Sequence, residues 1–287
     1  MKKFLKKNWS TILILLAFVV GIGLLLYPTI ADWWNSFHQT RAIVNYDETV
    51  DALQEEEYEA FLEEAAAFND WLSENHSGYS FDEEEEAYYD SVLDVTGTGI
   101  MAYLEISKID VYLPIYHGTS DSVLQVGIGH LEGTSLPIGG EGTHAVLSGH
   151  RGLTSARLLT DLDEMEEGDT FIIHMLDEIL TYEVDQILIV LPTETSALAV
   201  DPDMDYVTLM TCTPYGINTH RLLVRGHRVE NASEVTVEAD ATQIDTTQVA
   251  SILAAFILIL LFILVMLRGK GRKKRAVRSD GNHGGEL

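Results

Sequence analysis

The chain has 287 residues, one cysteine and a formal net charge of −27. That length suffices for one or two domains with a substantial core, and a lone cysteine excludes an internal disulfide framework. The acids are concentrated away from both ends, and so acidic a middle repels phosphates and excludes nucleic acid as a partner.

Residues 1–10 form a basic tail with Lys2, Lys3, Lys6 and Lys7. Residues 11–30, "TILILLAFVVGIGLLLYPTI", are almost wholly apolar and about long enough to cross a bilayer. Trp33 and Trp34 follow where a membrane interface would lie. The run is long for a cleaved signal peptide and ends in Tyr27-Pro28 rather than in a small-residue cleavage site. It therefore reads as a transmembrane helix. A second apolar run, Val249–Leu267, is followed by "RGKGRKKR" in a basic tail at 268–287. Lysine and arginine favour the cytoplasmic side. The expected layout is a two-pass protein of the cell membrane, with both termini cytoplasmic and residues 31–248 outside.

Residues 31–94 read as an extracytoplasmic helical region. Leu53, Tyr58, Phe61, Leu62, Ala65, Phe68, Trp71 and Leu72 recur at three- and four-residue steps among many glutamates. The run "DEEEE" (82–86) fits a solvated helix start better than a metal site. Residues 95–230 change character. "IMAYLEI", "VYLPIYH", "HAVLSGH", "TFIIHML", "LTYEVDQILIVL", "DYVTLMTC" and "RLLVRGHRV" are short β-rich runs between Gly, Pro, Asp and Ser. Their number and spacing predict a mainly β barrel or sandwich, with one helix in "TSARLLTDLDEMEEGD". Residues 231–248 form a linker.

Cys212 ends one apolar run and precedes Thr213-Pro214, where regular strand pairing stops. A thiol at a strand end beside a loop can attack an acyl carbon and hold it as a thioester. It needs a proton-transfer partner and a donor to the oxyanion. His144 and His150 bound "HAVLSGH", His130 lies in a Gly-rich stretch, and His220 and His227 follow the cysteine. Spacing does not choose among them. Arg221 and Arg225 stand on one face of the last run by strict alternation, and an arginine beside a thiol never deprotonates. One cysteine without paired histidines argues against a zinc site, and no cofactor is expected.

The segments "LPIYHGTS", "GHLEGTSLPIGGEGTHAVLSGHRGL", "TDLDEMEEGD" and "TCTPYGINTHRLLVRG" resemble the class C, pilin-polymerising sortases of Gram-positive bacteria. "TLMTC" is similar to their TLxTC motif, with "SGHRG" upstream and an arginine nine residues after the cysteine. The resemblance spans roughly residues 95–230 and implies the eight-stranded sortase β-barrel. It implies that Cys212 is the nucleophile, His150 the acid and base, and Arg221 the oxyanion donor. The implied reaction cleaves an LPXTG-like sorting signal between Thr and Gly and joins the acyl group to a lysine of a second pilin. The implied partners are LPXTG-bearing pilins or surface proteins, the acceptor lysine and the membrane. The family's lid carries an Asp-Pro-aromatic motif. Here the matching stretch places Tyr79 and Ser80 before Phe81, so an aromatic plug over Cys212 is expected without a charge pair to Arg221. Three readings compete with this one: a membrane-tethered cysteine protease, a scaffold in which Cys212 is merely buried, and a housekeeping-type sortase that attaches proteins to the cell wall.

Overall fold

The structure, a computed structural model, describes residues 2–76, 78–231, 253–260 and 262–263. The chain divides into two compact units, residues 1–30 with 240–287, and residues 31–239. In the first unit, the helix α1 (Lys2–Val50) begins. From Leu13 it is long and apolar enough to cross a membrane, with a mean hydropathy of 2.5 in its most apolar window and none of that window buried. It is the one such helix among the described residues. Residues 253–260 and 262–263 are helical, and Phe262 stacks on Phe18 at 4.2 Å between ring centroids. The rest of the expected second span, like the linker and the basic tail at 268–287, lies outside the described residues.

In the second unit, α1 lays one face on a β-barrel. Ile43 and Tyr46 are fully buried. The Tyr46 hydroxyl donates to the Met101 carbonyl at 3.0 Å and accepts from the Leu176 amide at 2.8 Å. A buried hydroxyl with both partners avoids the cost of an orphaned polar group. Helix α2 (Glu55–Asn75) buries Ala65, Phe68 and Leu72 at helical spacing. Helix α3 (Glu83–Ser91) starts where the acid run predicts. Asp82 accepts hydrogen bonds from the amides of Glu84 and Glu85, and the acids of the first turn face the positive end of the helix.

Eight strands follow: β1 (Ile100–Ile106), β2 (Val111–His117), β3 (Ile128–His130), β4 (Thr143–Ser148), β5 (Thr170–Met175), β6 (Glu178–Val190), β7 (Asp205–Thr213) and β8 (His220–Arg228). They close into a barrel in the order β1-β2-β3-β4-β7-β8-β6-β5. Closure removes the edges that an open sheet would leave unpaired. Leu104, Ile115, Ile128, Leu147, Leu209 and Val224 fill the interior.

Two features differ from the sequence expectation. Strand β3 is an eighth strand inside the Gly-rich stretch, only three residues long and parallel to β2. The expected helix in residues 154–169 is absent. That segment holds turns and one 3-10 turn, Leu162–Glu164. Leu158 there takes a left-handed φ of 43°, which a helix cannot contain. The segment instead turns Leu158, Leu159, Leu162 and Met165 into the core.

The pairing also sets the position of the site. Strands β4 and β7 are parallel, with Ser148 opposite Met210. Strand β8 runs antiparallel to β7, with Arg221 opposite Cys212. The end of β4, the end of β7 and the start of β8 therefore meet at one end of the barrel.

Candidate active site

Cys212 is the next-to-last residue of β7 and half-buried, so the reading of a wholly buried structural thiol does not fit. Along β7, Leu209 and Val207 point into the core while Met210 packs on an outer cluster of Val146, Leu198 and Leu223. Alternation puts Cys212 on that outer face with Met210. Directly opposed residues of antiparallel strands share a face, so Arg221 stands beside Cys212 there.

His150 follows β4 and is bracketed by two ties to β7. The Thr211 hydroxyl donates to the Gly149 carbonyl at 2.7 Å. Arg151 Nη1 donates to Thr213 Oγ1 at 3.3 Å, and Arg151 Nη2 pairs with Asp163. A residue between positions anchored to 211 and 213 is level with Cys212. Gly152 completes the turn with a φ of 80°. A Cβ there would stand 3.0 Å from the exposed Tyr215 ring, and the positive φ itself favours glycine. Thr211, Thr213, Arg151 and Asp163 escaped the sequence reading. The available signal was the same alternation: it sends both threonines to the opposite face from Cys212, where their hydroxyls can hold the loop behind it.

The two choices that spacing left open have contrasting surroundings. His144 is 1% exposed. Its Nδ1 meets the Ala199 carbonyl at 3.0 Å and its Nε2 the Thr208 hydroxyl at 2.8 Å. Burial pushes this imidazole below its ordinary pKa, and neither nitrogen is left for substrate. His130 is equally enclosed, between the Tyr89 hydroxyl and the Ser135 carbonyl, and burial lowers it to about 4. Arg225 makes a two-pronged pair with Asp185, both contacts at 2.9 Å, and lies 4.1 Å over the Tyr206 ring. Burial opposes its charge, but the Asp185 carboxylate more than offsets this and raises its pKa. Arg221 has one hydrogen bond among the described residues, to the His220 carbonyl, so most of its guanidinium donors are available.

The lid expectation is corrected. Phe81 packs against Phe68, His76 and Tyr89, with ring centroids 6.2, 4.8 and 5.2 Å away, rather than over Cys212. Tyr79 borders a cavity beside α2 and the β3–β4 loop. The cause is the short turn between α2 and α3. Phe81 directly precedes the Asp82 cap, so the start of α3 holds it. The turn is also pressed onto Gly133, where any Cβ would fall 2.0 Å from the Gly78 carbonyl oxygen. Among the described residues no three His, Cys, Asp or Glu side chains converge as a metal site.

Residues 104–229 match the family model described as the sortase domain. The crystal structure of sortase C1 from Streptococcus agalactiae is 48% identical, with a TM-score of 0.65 over 67% of this chain and 100% of that one. The chain belongs to the sortase family. Two curated relatives are a sortase of Streptomyces coelicolor, 28% identical over 77% of this chain, and sortase D of Bacillus subtilis, 33% identical over 44% of it. The chain spans 57% and 62% of their respective lengths. In this sortase the half-buried thiol, the arginine opposite it and the tied-down histidine loop share one end of the barrel.

Proposed function

We propose that this sortase is a class C transpeptidase that joins pilin subunits, with Cys212, His150 and Arg221 as its catalytic residues. The observation that carries this reading is the pairing of Cys212 with Arg221 across β7 and β8, level with the His150 loop. The structural likeness to sortase C1 supports the class.

In this mechanism the Cys212 thiolate attacks the threonine carbonyl carbon of an LPXTG-like signal. Arg221 donates hydrogen bonds to the oxyanion, where fixed donors act most strongly. His150, as imidazolium, protonates the departing glycine amine as the C–N bond breaks, leaving a thioester. A lysine amine of a second pilin then attacks the thioester carbon and gives its proton to His150. The amide forms, and the thiolate and imidazolium are restored. Met210 and the other partly buried residues at the edge of the outer cluster, Val190 and Ala197, suit the leucine and proline of such a signal.

The same reading assigns residues 95–230 to the catalytic barrel and residues 31–94 to a helical collar outside the membrane. It takes 249–267 as a second anchor, on the strength of its apolar sequence and basic flank.

The test combines full-length sortase in detergent with a pilin bearing the signal and a second pilin offering lysine. A covalent dimer linked through a lysine amide, absent with Cys212→Ala, is expected. Attachment only to small wall-type amines would mark a housekeeping sortase. Hydrolysis without any amide product would mark a protease.

A further inference from the structure

We propose that this sortase has a second recognition site, remote from its thiol, that binds the residues just upstream of the sorting signal and selects a basic side chain there; the proposal rests on the sortase reading above. A cavity of about 600 Å³ opens between the end of α2, the turn at 78–79, the β3–β4 loop and residues 198–202. Leu198 lines it and also belongs to the apolar outer cluster with Met210, so the cavity borders the cluster that packs on the Cys212 face of β7.

Direction and distance follow from the register. The apolar residues of the signal precede its scissile bond, so the acyl side of the peptide lies along the apolar cluster. His144 lines the cavity and pairs with Tyr206, six positions before Cys212 on β7. At ~3.3 Å per residue that is roughly 20 Å, the reach of about six extended peptide residues. The leucine of an LPXT segment is the fourth residue back from the bond. The cavity therefore meets the second or third residue before that leucine.

The lining has a definite sign. Asp70 and Glu141 contribute carboxylates, and neither lysine nor arginine lines the cavity. Helix α2 ends there with no basic residue in its last turn, so its negative end adds to the attraction for a cation. The His76 side chain, which lines the cavity, is only 10% exposed, with Nδ1 toward Glu85 and with no hydrogen-bond partner for Nε2 among the described residues. A carboxylate only accepts, so the Nδ1 proton points to Glu85. Tyr79, which takes the Asp position of the family's lid motif, walls this site.

The test measures binding of fluorescent peptides to full-length Cys212→Ala sortase. One peptide carries the signal alone, and two carry a four-residue upstream extension with either Lys or Glu. The Lys extension should bind at least about fivefold more tightly than both others. In Asp70→Asn/Glu141→Gln, whose replaced side chains are exposed, that gain should disappear while the short peptide binds as before. Equal binding of the Lys and Glu peptides, or a gain that survives the double substitution, would overturn the proposal. Turnover of the short peptide by the unsubstituted enzyme is measured alongside. Its failure would count against the sortase reading and not against the cavity.

Discussion

Arg221 and Arg225 share a face of β8, yet among the described residues only Arg225 is engaged by acid and aromatic partners. The same split separates His150 from His144, whose ring nitrogens are both occupied. His150→Ala and Arg221→Ala should each lower kcat/KM by at least about a hundredfold in a peptide-plus-amine assay, the scale of losing an acid–base group or an oxyanion donor. Arg225→Ala should leave most of the activity and lower unfolding stability by about 1–2 kcal/mol through the lost ion pair. Comparable activity losses at Arg221 and Arg225 would contradict the assignment. His130 adds a pH dependence. Its folded pKa, about 4, lies below the ordinary 6.5, so the unfolded chain takes up the proton first. The stability it contributes is present above pH 6.5 and is lost as pH falls toward 4, by about 3 kcal/mol. Tm should fall over that range, and less steeply in His130→Gln; parallel slopes would contradict this. Alternation alone predicted that the two arginines share a face. It did not predict which one stays unengaged, because Asp185 lies forty residues away on β6.

At the scale of elements, the site depends on how the loop after β4 is fastened to β7. Thr211 and Thr213 turn their hydroxyls to Gly149 and Arg151 on either side of His150. Thr211→Val keeps the shape but leaves the buried Gly149 carbonyl without this donor, at a cost of roughly 1–3 kcal/mol. It should lower kcat more than KM, because the histidine shifts and the peptide groove does not. A change confined to KM would argue against the fastening role. These ties join residues sixty-two apart, so no local pattern announces them. Seven strands were legible because each alternates or runs apolar between turn residues. Strand β3 was not, since three residues carry no period and its position depends on pairing with β2 and β4. The segment at 154–169 misleads in the opposite way: its leucines sit at helical spacing, but the fold uses them as separate plugs into the core. Phe81 was expected over Cys212 from the resemblance; its partners on α2 and α3 are fixed instead by a turn that spacing does not describe.

Across the molecule, barrel closure in the order β4-β7-β8 brings the ends of three strands together, and the motif residues lie at those ends. This explains why the proposed trio follows from resemblance and not from spacing: His150 comes after β4 and Cys212 near the end of β7, and these distant strands pair in parallel. The apolar start of α1 gives one candidate anchor. If Val249–Leu267 is a second, an external protease acting on intact cells should remove the middle of the chain and leave both terminal tags protected; loss of the C-terminal tag would leave a single-pass protein. The central claim concerns the thiol. Its most direct test is intact-mass spectrometry of the full-length enzyme mixed with a sorting-signal peptide, followed by addition of a lysine-bearing acceptor. The account predicts an adduct of the peptide's acyl portion that maps to Cys212, accumulates in Arg221-containing enzyme, and is discharged as an amide when the acceptor is added. An enzyme that turns over the peptide with no acyl adduct on Cys212, or an adduct that only water discharges, would contradict it.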